Sequence, residues 1–67
     1  MSDEKLIERV RIAKAKGIIN EYSDIMEAIK ISKSGLYCWL ANQYRLSETK
    51  KELINKYLIE KGLPENG

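Results

Sequence analysis

The sequence predicts an all-α domain of four or five helices, and three observations support this fold class. Apolar residues recur at helical spacing, no stretch alternates apolar and polar residues long enough to indicate a strand, and serine or glycine stands at most of the expected helix boundaries. The chain has 67 residues, a length that allows one domain with a small core. We place the domain at residues 1–62 and expect residues 63–67 to form a flexible tail.

The first helix is predicted over about residues 3–16. Ser2 or Asp3 can cap its start, because both side chains accept hydrogen bonds from the unpaired N–H groups there. Gly17 can adopt the left-handed conformation that ends a helix. The apolar residues expected to face the core are Leu6, Ile7, Val10 and Ala13. The cations expected on the outer surface are Arg9, Arg11, Lys14 and Lys16.

Two short helices follow, separated by a break at residues 30–32. Either Asn20 or Ser23 can cap the second helix, and we favour Ser23 because an acidic residue follows it. Ser32 is predicted to cap the third helix, over about residues 33–41. The apolar residues of the two helices are Ile25, Met26, Ile29, Leu36, Trp39 and Leu40.

A loop is predicted over residues 42–46, and a fourth helix follows it. Ser47 or Thr49 can begin this helix, since Thr49 and Glu52 have the spacing of a capping box. Gly62 with a proline two residues later is a strong signal for its end. Its apolar residues are Leu53, Ile54, Tyr57 and Leu58.

Composition argues against catalysis. The chain has no histidine, so the commonest general base and metal ligand is absent. The four glycines stand apart, at positions 17, 35, 62 and 67, and form no phosphate-binding loop. We therefore expect a binding protein that is not an enzyme, with no cofactor, no metal and no small-molecule substrate.

The sequence also indicates in which cellular compartment the protein is expected. The longest apolar run, residues 36–41, has six residues, far too short to cross a membrane. The single cysteine, Cys38, cannot close a disulfide within the chain, and the acidic start MSDEKLIERV does not resemble a signal peptide. We expect a cytoplasmic protein with no membrane partner.

The most informative segment is residues 22–43, YSDIMEAIKISKSGLYCWLANQ, which has the spacing of a helix-turn-helix. The residues predicted to wedge its two helices together are Ile25, Ile29, Ile31, Leu36 and Trp39. The outer face of the second of these helices carries Lys33, Ser34, Tyr37, Cys38 and Ala41, with Asn42 beyond it.

This segment resembles the helix-turn-helix of the phage Cro and repressor family, the lambda-repressor-like proteins. DIMEAIKISKSGLYCWL aligns without a gap with a typical family sequence, ELAKKLGISRSTLSRIE, and Ser32-Lys33-Ser34 falls on its S-R-S. Two residues depart from the pattern: Met26 stands where the family has a small residue, and Lys30 stands where it has glycine.

The resemblance implies a lambda-repressor-like domain that acts as a sequence-specific DNA-binding transcriptional regulator. The expected protein is a Cro-like phage or prophage repressor that binds an operator in double-stranded DNA through the helix at about residues 33–41. Family members bind as homodimers, in the nucleoid of a bacterial host cell. Tyr57, Ile59 and Leu63 are candidates for a dimer contact, although they can equally complete the core of one chain.

The candidate DNA-binding residues lie at the start of the second helix, on the third helix and just after it. Tyr22 and Ser23 occupy the position from which this family commonly holds a phosphate. No acidic residue occurs between Glu27 and Glu48, so this part of the chain is locally basic. The full set is Tyr22, Ser23, Ser32, Lys33, Ser34, Tyr37, Cys38, Asn42, Gln43 and Arg45.

Two other functions are compatible with the same pattern. The net charge is only +2, so the third helix can instead bind another protein, as in an antirepressor, an antitoxin or a regulator of a sigma factor. The DNA-recognition part of a recombinase or excisionase would share the fold. Lys33 and Arg45 can also be ordinary solvated surface charges.

Overall fold

The computed structural model describes residues 2–64, which form four α-helices and no β-strand. The all-α prediction is therefore confirmed, with four helices in this part of the chain. The helices are α1 (Asp3–Ala15), α2 (Tyr22–Ile29), α3 (Lys33–Leu40) and α4 (Glu48–Glu60).

Serine side chains cap three of the helices. The hydroxyl oxygen of Ser32 accepts a hydrogen bond from the N–H of Gly35 at 3.1 Å, which fixes the start of α3. Ser47 caps α4 in the same way, and Ser2 caps α1. The alternative start of α4 at Thr49 is wrong, because Thr49 already lies inside the first turn.

The predicted start of α2 is also wrong. The residue that caps this helix is Glu21, and neither Asn20 nor Ser23 does so. The N–H of Glu21 donates to the carboxylate of Asp24 at 3.4 Å, as in a capping box, and the Ser23 hydroxyl donates to the Glu21 carboxylate at 3.3 Å. A carboxylate three residues into the helix therefore fixes its start.

The turn between α2 and α3 places a lysine in the left-handed conformation. Lys30 has φ of 55°, at the position where the resembled family has glycine. This conformation costs a residue with a Cβ about 1–2 kcal/mol. The ammonium of Lys50 lies beside the turn and donates hydrogen bonds to the carbonyl oxygens of Ile29 at 3.3 Å and Lys30 at 3.5 Å. A cation at the end of α2 also complements the helix dipole.

The apolar core lies between all four helices. α4 packs against α1 and α2, and α2 packs against α3. All five residues predicted to wedge α2 and α3 together face inward, although Ile31 at the turn is only partly buried. The buried apolar residues are Leu6, Ile7, Val10, Ala13, Ile19, Ile25, Ile29, Leu36, Trp39, Leu40, Leu46, Ile54, Leu58 and Leu63.

The core extends one residue beyond the predicted end of the domain. Leu63 is buried, and its N–H donates to the carbonyl of Leu58 at 2.9 Å. Gly62, with φ of 108°, reverses the chain after α4 so that Leu63 folds back onto the helix. Leu63 thus belongs to the core and not to a tail, whereas residues 65–67 of the predicted tail lie outside the described residues.

A single carboxylate, that of Asp3, joins three helices. The ammonium of Lys51 on α4 lies 2.9 Å from one carboxylate oxygen, and the indole N–H of Trp39 on α3 donates to the other at 3.0 Å. The backbone of Leu46, in the loop before α4, also hydrogen-bonds to Asp3. Lys51 is itself buried and lies 2.9 Å from Glu48. We call this set of contacts the Asp3 network.

These contacts shift the ionisation of the groups involved. The hydrogen bond from Lys51 lowers the pKa of Asp3 below its ordinary value, the bonds from Trp39 and Leu46 act in the same direction, and burial opposes them. The hydrogen bond to Asp3, followed by that to Glu48, raises the pKa of Lys51. The network is therefore held in its charged form at neutral pH.

Two of the cations predicted on the outer surface of α1 are tied into the fold. The guanidinium of Arg9 donates to the side-chain oxygen of Asn55 and, at 3.2 Å, to the carbonyl of Leu63. Arg11 donates to the carbonyl of Leu40 at 2.9 Å, at the end of α3. The other two, Lys14 and Lys16, are exposed, as the sequence predicts.

We expect Asp3→Asn to destabilise the domain by about 1–3 kcal/mol at neutral pH, because Lys51 and Trp39 lose a charged hydrogen-bond partner. Urea unfolding measures the change. Glu4→Gln is the matched control, since Glu4 is an exposed carboxylate in the same helical turn. An equal loss of unfolding free energy in the two variants would contradict this expectation. It would show that Asp3 stabilises the domain only as a negative charge at the start of α1.

The same substitution should change how stability depends on pH. The folded pKa of Asp3 is below the unfolded value of about 3.8, so its contribution is complete above that value and is lost as the pH falls through the folded pKa. We expect the difference in unfolding free energy between wild type and Asp3→Asn to narrow in acid. A difference that stays constant from neutral pH into strong acid would contradict this.

We expect Lys30→Gly to stabilise the domain by about 0.5–1 kcal/mol, because glycine adopts the left-handed conformation without strain. The greater freedom of glycine in the unfolded chain offsets part of the gain. Lys30→Ala removes the same charge but keeps the strain of the left-handed conformation, so it should not stabilise the domain. Thermal unfolding distinguishes the two, and an equal gain for both would assign the effect to charge.

Candidate nucleic-acid interface

The outer face of α3 is exposed as the helical spacing predicts. Lys33, Ser34, Tyr37 and Cys38 are exposed, while the opposite face of the helix is buried in the core. Ser32 sits at the cap, where its hydroxyl oxygen is already an acceptor for a backbone N–H. The four exposed side chains therefore share one accessible surface at the start and middle of α3.

Three helices meet beside this surface and form an open depression of about 480 Å³. Four of the predicted DNA-binding residues line it: Tyr22 and Ser23 from α2, and Lys33 and Tyr37 from α3. We call it the three-helix depression. Its complete lining is Lys14, Glu21, Tyr22, Ser23, Met26, Lys33 and Tyr37.

Two tyrosines form the wall of this depression. The rings of Tyr22 and Tyr37 pack edge to face, with centroids 6.1 Å apart and an interplanar angle of 86°. The ammonium of Lys33 lies 6.0 Å from the Tyr37 ring, and that of Lys14 lies 5.9 Å from the Tyr22 ring. The aromatic pair joins the start of α2 to α3 and holds one cation beside each ring.

An acidic side chain lies in the same depression. The carboxylate of Glu21 accepts the hydrogen bond from Ser23, so the hydroxyl that we expected to meet a phosphate has an acceptor within the protein. With Lys14 and Lys33 opposing Glu21, the depression carries a formal charge of about +1. The depression therefore attracts an anion, but only weakly.

The residues predicted after α3 lie elsewhere. Asn42 and Arg45 line a second depression between the starts of α1 and α4. Three carboxylates share its lining, those of Asp3, Glu4 and Glu48. Gln43 is exposed, and its N–H donates to the carbonyl of Cys38 at 2.9 Å, which folds the loop back against α3. The structure thus divides the predicted residues into an α2–α3 group and a loop group with acidic neighbours.

The opposite side of α2 is acidic. Asp24 and Glu27 line a depression together with Tyr57 of α4. Burial raises the pKa of Tyr57, and the negative charges of Asp24 and Glu27 raise it further. The depression beside α3 thus has two lysines and one carboxylate, whereas the depression beside α4 has two carboxylates and one lysine, Lys61.

Sequence reasoning did not single out two residues of the three-helix depression. It considered Lys14 only together with the other cations of the first helix, as a basic face that can add phosphate contacts but is more often solvated surface, and it gave Glu21 no role. Helical periodicity places Lys14 on a face of α1 but does not show what lies beside that face. The pairing Glu21-x-x-Asp24 was the available signal for Glu21, since it has the spacing of a capping box.

Two structural findings concern other kinds of site. None of the helices within residues 2–64 has the length and apolar character needed to cross a bilayer. Within the same residues, the fold brings together no group of three or more cysteine or carboxylate side chains suited to a metal ion.

The functional interpretation rests on the sequence resemblance and on the geometry of the three-helix depression and the exposed face of α3. Comparison with known proteins gives no match, whether to a family model, to a curated protein or to a solved structure.

Proposed function

We propose that this protein is a sequence-specific transcriptional regulator that binds double-stranded DNA by placing α3 in the major groove. One observation carries the proposal: the exposed face of α3 has no acidic residue and continues into Tyr22 and Lys14 of the two neighbouring helices. A surface of cationic, hydroxyl and aromatic side chains on a projecting helix is suited to a duplex.

The dimensions and polarity of α3 fit this role. An α-helix with its side chains is about 10–12 Å across, similar to the width of the major groove. The first N–H groups of a helix have no partner within it, and the Ser32 hydroxyl takes up only that of Gly35. The start of α3 therefore offers backbone donors and the positive end of the helix dipole to a phosphate.

The exposed side chains of α3 can read bases. Lys33 can donate to the O6 and N7 atoms of guanine or to a phosphate, and Ser34 can donate or accept at either base edge. Tyr37, one turn further along, can offer its hydroxyl to a phosphate or its ring to a thymine methyl group. Cys38 is small and weakly polar, which suits an apolar contact.

Tight binding requires two copies of the chain. A formal charge of +2 is too small to hold DNA strongly by bulk attraction, so affinity must come from placement and from a homodimer on two half-sites about 34 Å apart. Leu63 is buried in its own chain, which leaves the exposed Ile59 as the stronger of these candidates for a dimer contact. Such a dimer would repress transcription in a bacterial cytoplasm by occupying a phage or prophage operator.

A second candidate function is supported by Glu21. Its carboxylate in the three-helix depression opposes a polyanion but suits a protein partner that carries a cation or a hydrogen-bond donor. The same surface would then act as a protein-interaction module. Salt dependence separates the two functions, since several phosphate contacts give a steep loss of affinity with salt and a protein partner gives a shallow one.

We expect Lys33→Ala to weaken binding to a selected operator at least about tenfold, because it removes a base or phosphate contact. Duplexes are first selected from a randomised library, and fluorescence anisotropy then measures affinity between about 50 and 200 mM salt. Lys56→Ala is the control, since Lys56 is an exposed lysine of α4 beside the acidic side of α2. Equal effects of the two substitutions, or no duplex binding by the wild type, would contradict the proposed function.

A further inference from the structure

We propose that Lys14 of α1 binds a DNA backbone phosphate at the three-helix depression, so that the DNA-binding surface spans α1, α2 and α3. The inference rests on the proposed function and extends it to a helix outside the helix-turn-helix segment. The observation behind it is that Lys14 lines the same depression as Lys33 and Tyr37 of α3.

Lys14 differs from the other cations of α1. Arg9 and Arg11 donate hydrogen bonds to other parts of the fold, and neither Lys5 nor Lys16, the residue that caps the end of α1, lines the depression. The ammonium of Lys14 lies over the ring of Tyr22, where the aromatic face orients it without neutralising its charge. It is thus a cation held at a defined place and available to an anion.

The surroundings of Lys14 favour a phosphate diester. An ammonium group binds phosphate as a point charge, and the neighbouring phenol groups of Tyr22 and Tyr37 can donate further hydrogen bonds. The start of α2 also lies here, with its positive dipole end. Lys33 supplies a second positive charge beside the other ring of the tyrosine pair, that of Tyr37.

Glu21 has the opposite effect in the same depression. Its negative charge lies at the start of α2, where it repels a phosphate and partly neutralises the two lysines. In the capping box, the N–H of Glu21 donates to the carboxylate of Asp24 and the Glu21 side chain accepts from the N–H of Asp24, a role that a glutamine side-chain oxygen can also fill. The substitution Glu21→Gln therefore preserves this cap and removes the negative charge. It should strengthen DNA binding, whereas removal of the Lys14 charge should weaken it.

The test compares Lys14→Gln, Lys16→Gln and Glu21→Gln with the wild type, using one selected operator and one unrelated duplex. Glutamine keeps part of the aliphatic stem of lysine but carries no charge. We expect Lys14→Gln to weaken binding to both duplexes equally and to reduce the magnitude of the salt slope by about one. Lys16→Gln should leave the slope unchanged, and Glu21→Gln should tighten binding to both duplexes.

Equal slopes for Lys14→Gln and Lys16→Gln would overturn the inference while leaving the proposed function intact, since both lysines would then contribute only general charge. A loss confined to the selected operator would also overturn it, because a phosphate contact does not depend on sequence. Absence of duplex binding by the wild type would overturn the inference and the proposed function together. Thermal unfolding of each variant establishes that the changes arise in a folded domain.

Discussion

The carboxylate of Asp3 is the contact on which the arrangement of the helices depends. A chain of 67 residues buries only a small core, so a few polar contacts carry much of the geometry. This carboxylate fixes α1 to α3 through the indole of Trp39, and to α4 through the ammonium of Lys51. Both partners are buried, so the loss of the carboxylate would remove the acceptor of the Trp39 indole N–H and one of the carboxylates that bind Lys51.

The position of α3 follows from this constraint. An isolated helix of eight residues is unstable in water, so α3 depends on its contacts with the rest of the domain. Its buried face is anchored by Trp39, and its last carbonyl group is held by Arg11 of α1. Fixing the inner face also fixes the direction of the outer face, with Lys33 and Tyr37. A binding surface ordered in advance loses less entropy when it meets its partner.

Local signals in the sequence were sufficient for much of the fold. The serines that begin α1, α3 and α4, and the glycines after α1 and α4, act through their own backbone neighbours, and apolar spacing identified the inner face of each helix. The start of α2 was missed because its cap depends on the carboxylate of Asp24 and not on a serine. A Cβ at Gly35 would lie 3.1 Å from the Cγ1 atom of Ile31, a close approach that helical spacing does not indicate.

Contacts between side chains that are distant in the chain could not be predicted from the sequence. Lys51 lies on a helix rich in lysine, and nothing in its spacing indicates that it is buried beside Asp3, 48 positions earlier in the chain. The same holds for Arg9, whose partners Asn55 and Leu63 are distant in sequence. For the candidate site, the exposed face of α3 followed from periodicity. The inclusion of Lys14 and Glu21 depended on tertiary structure, which brings Lys14 to Tyr22 and both residues to one depression.

The central claim is that α3 enters the groove of a duplex, and titration of the amide NMR signals with a mixed-sequence duplex tests it most directly. The account predicts shifts centred on residues 32–37, accompanied by Tyr22 and Ser23, that weaken as the salt concentration rises. Unchanged signals across residues 32–37, with shifts confined to other exposed lysines, would contradict it.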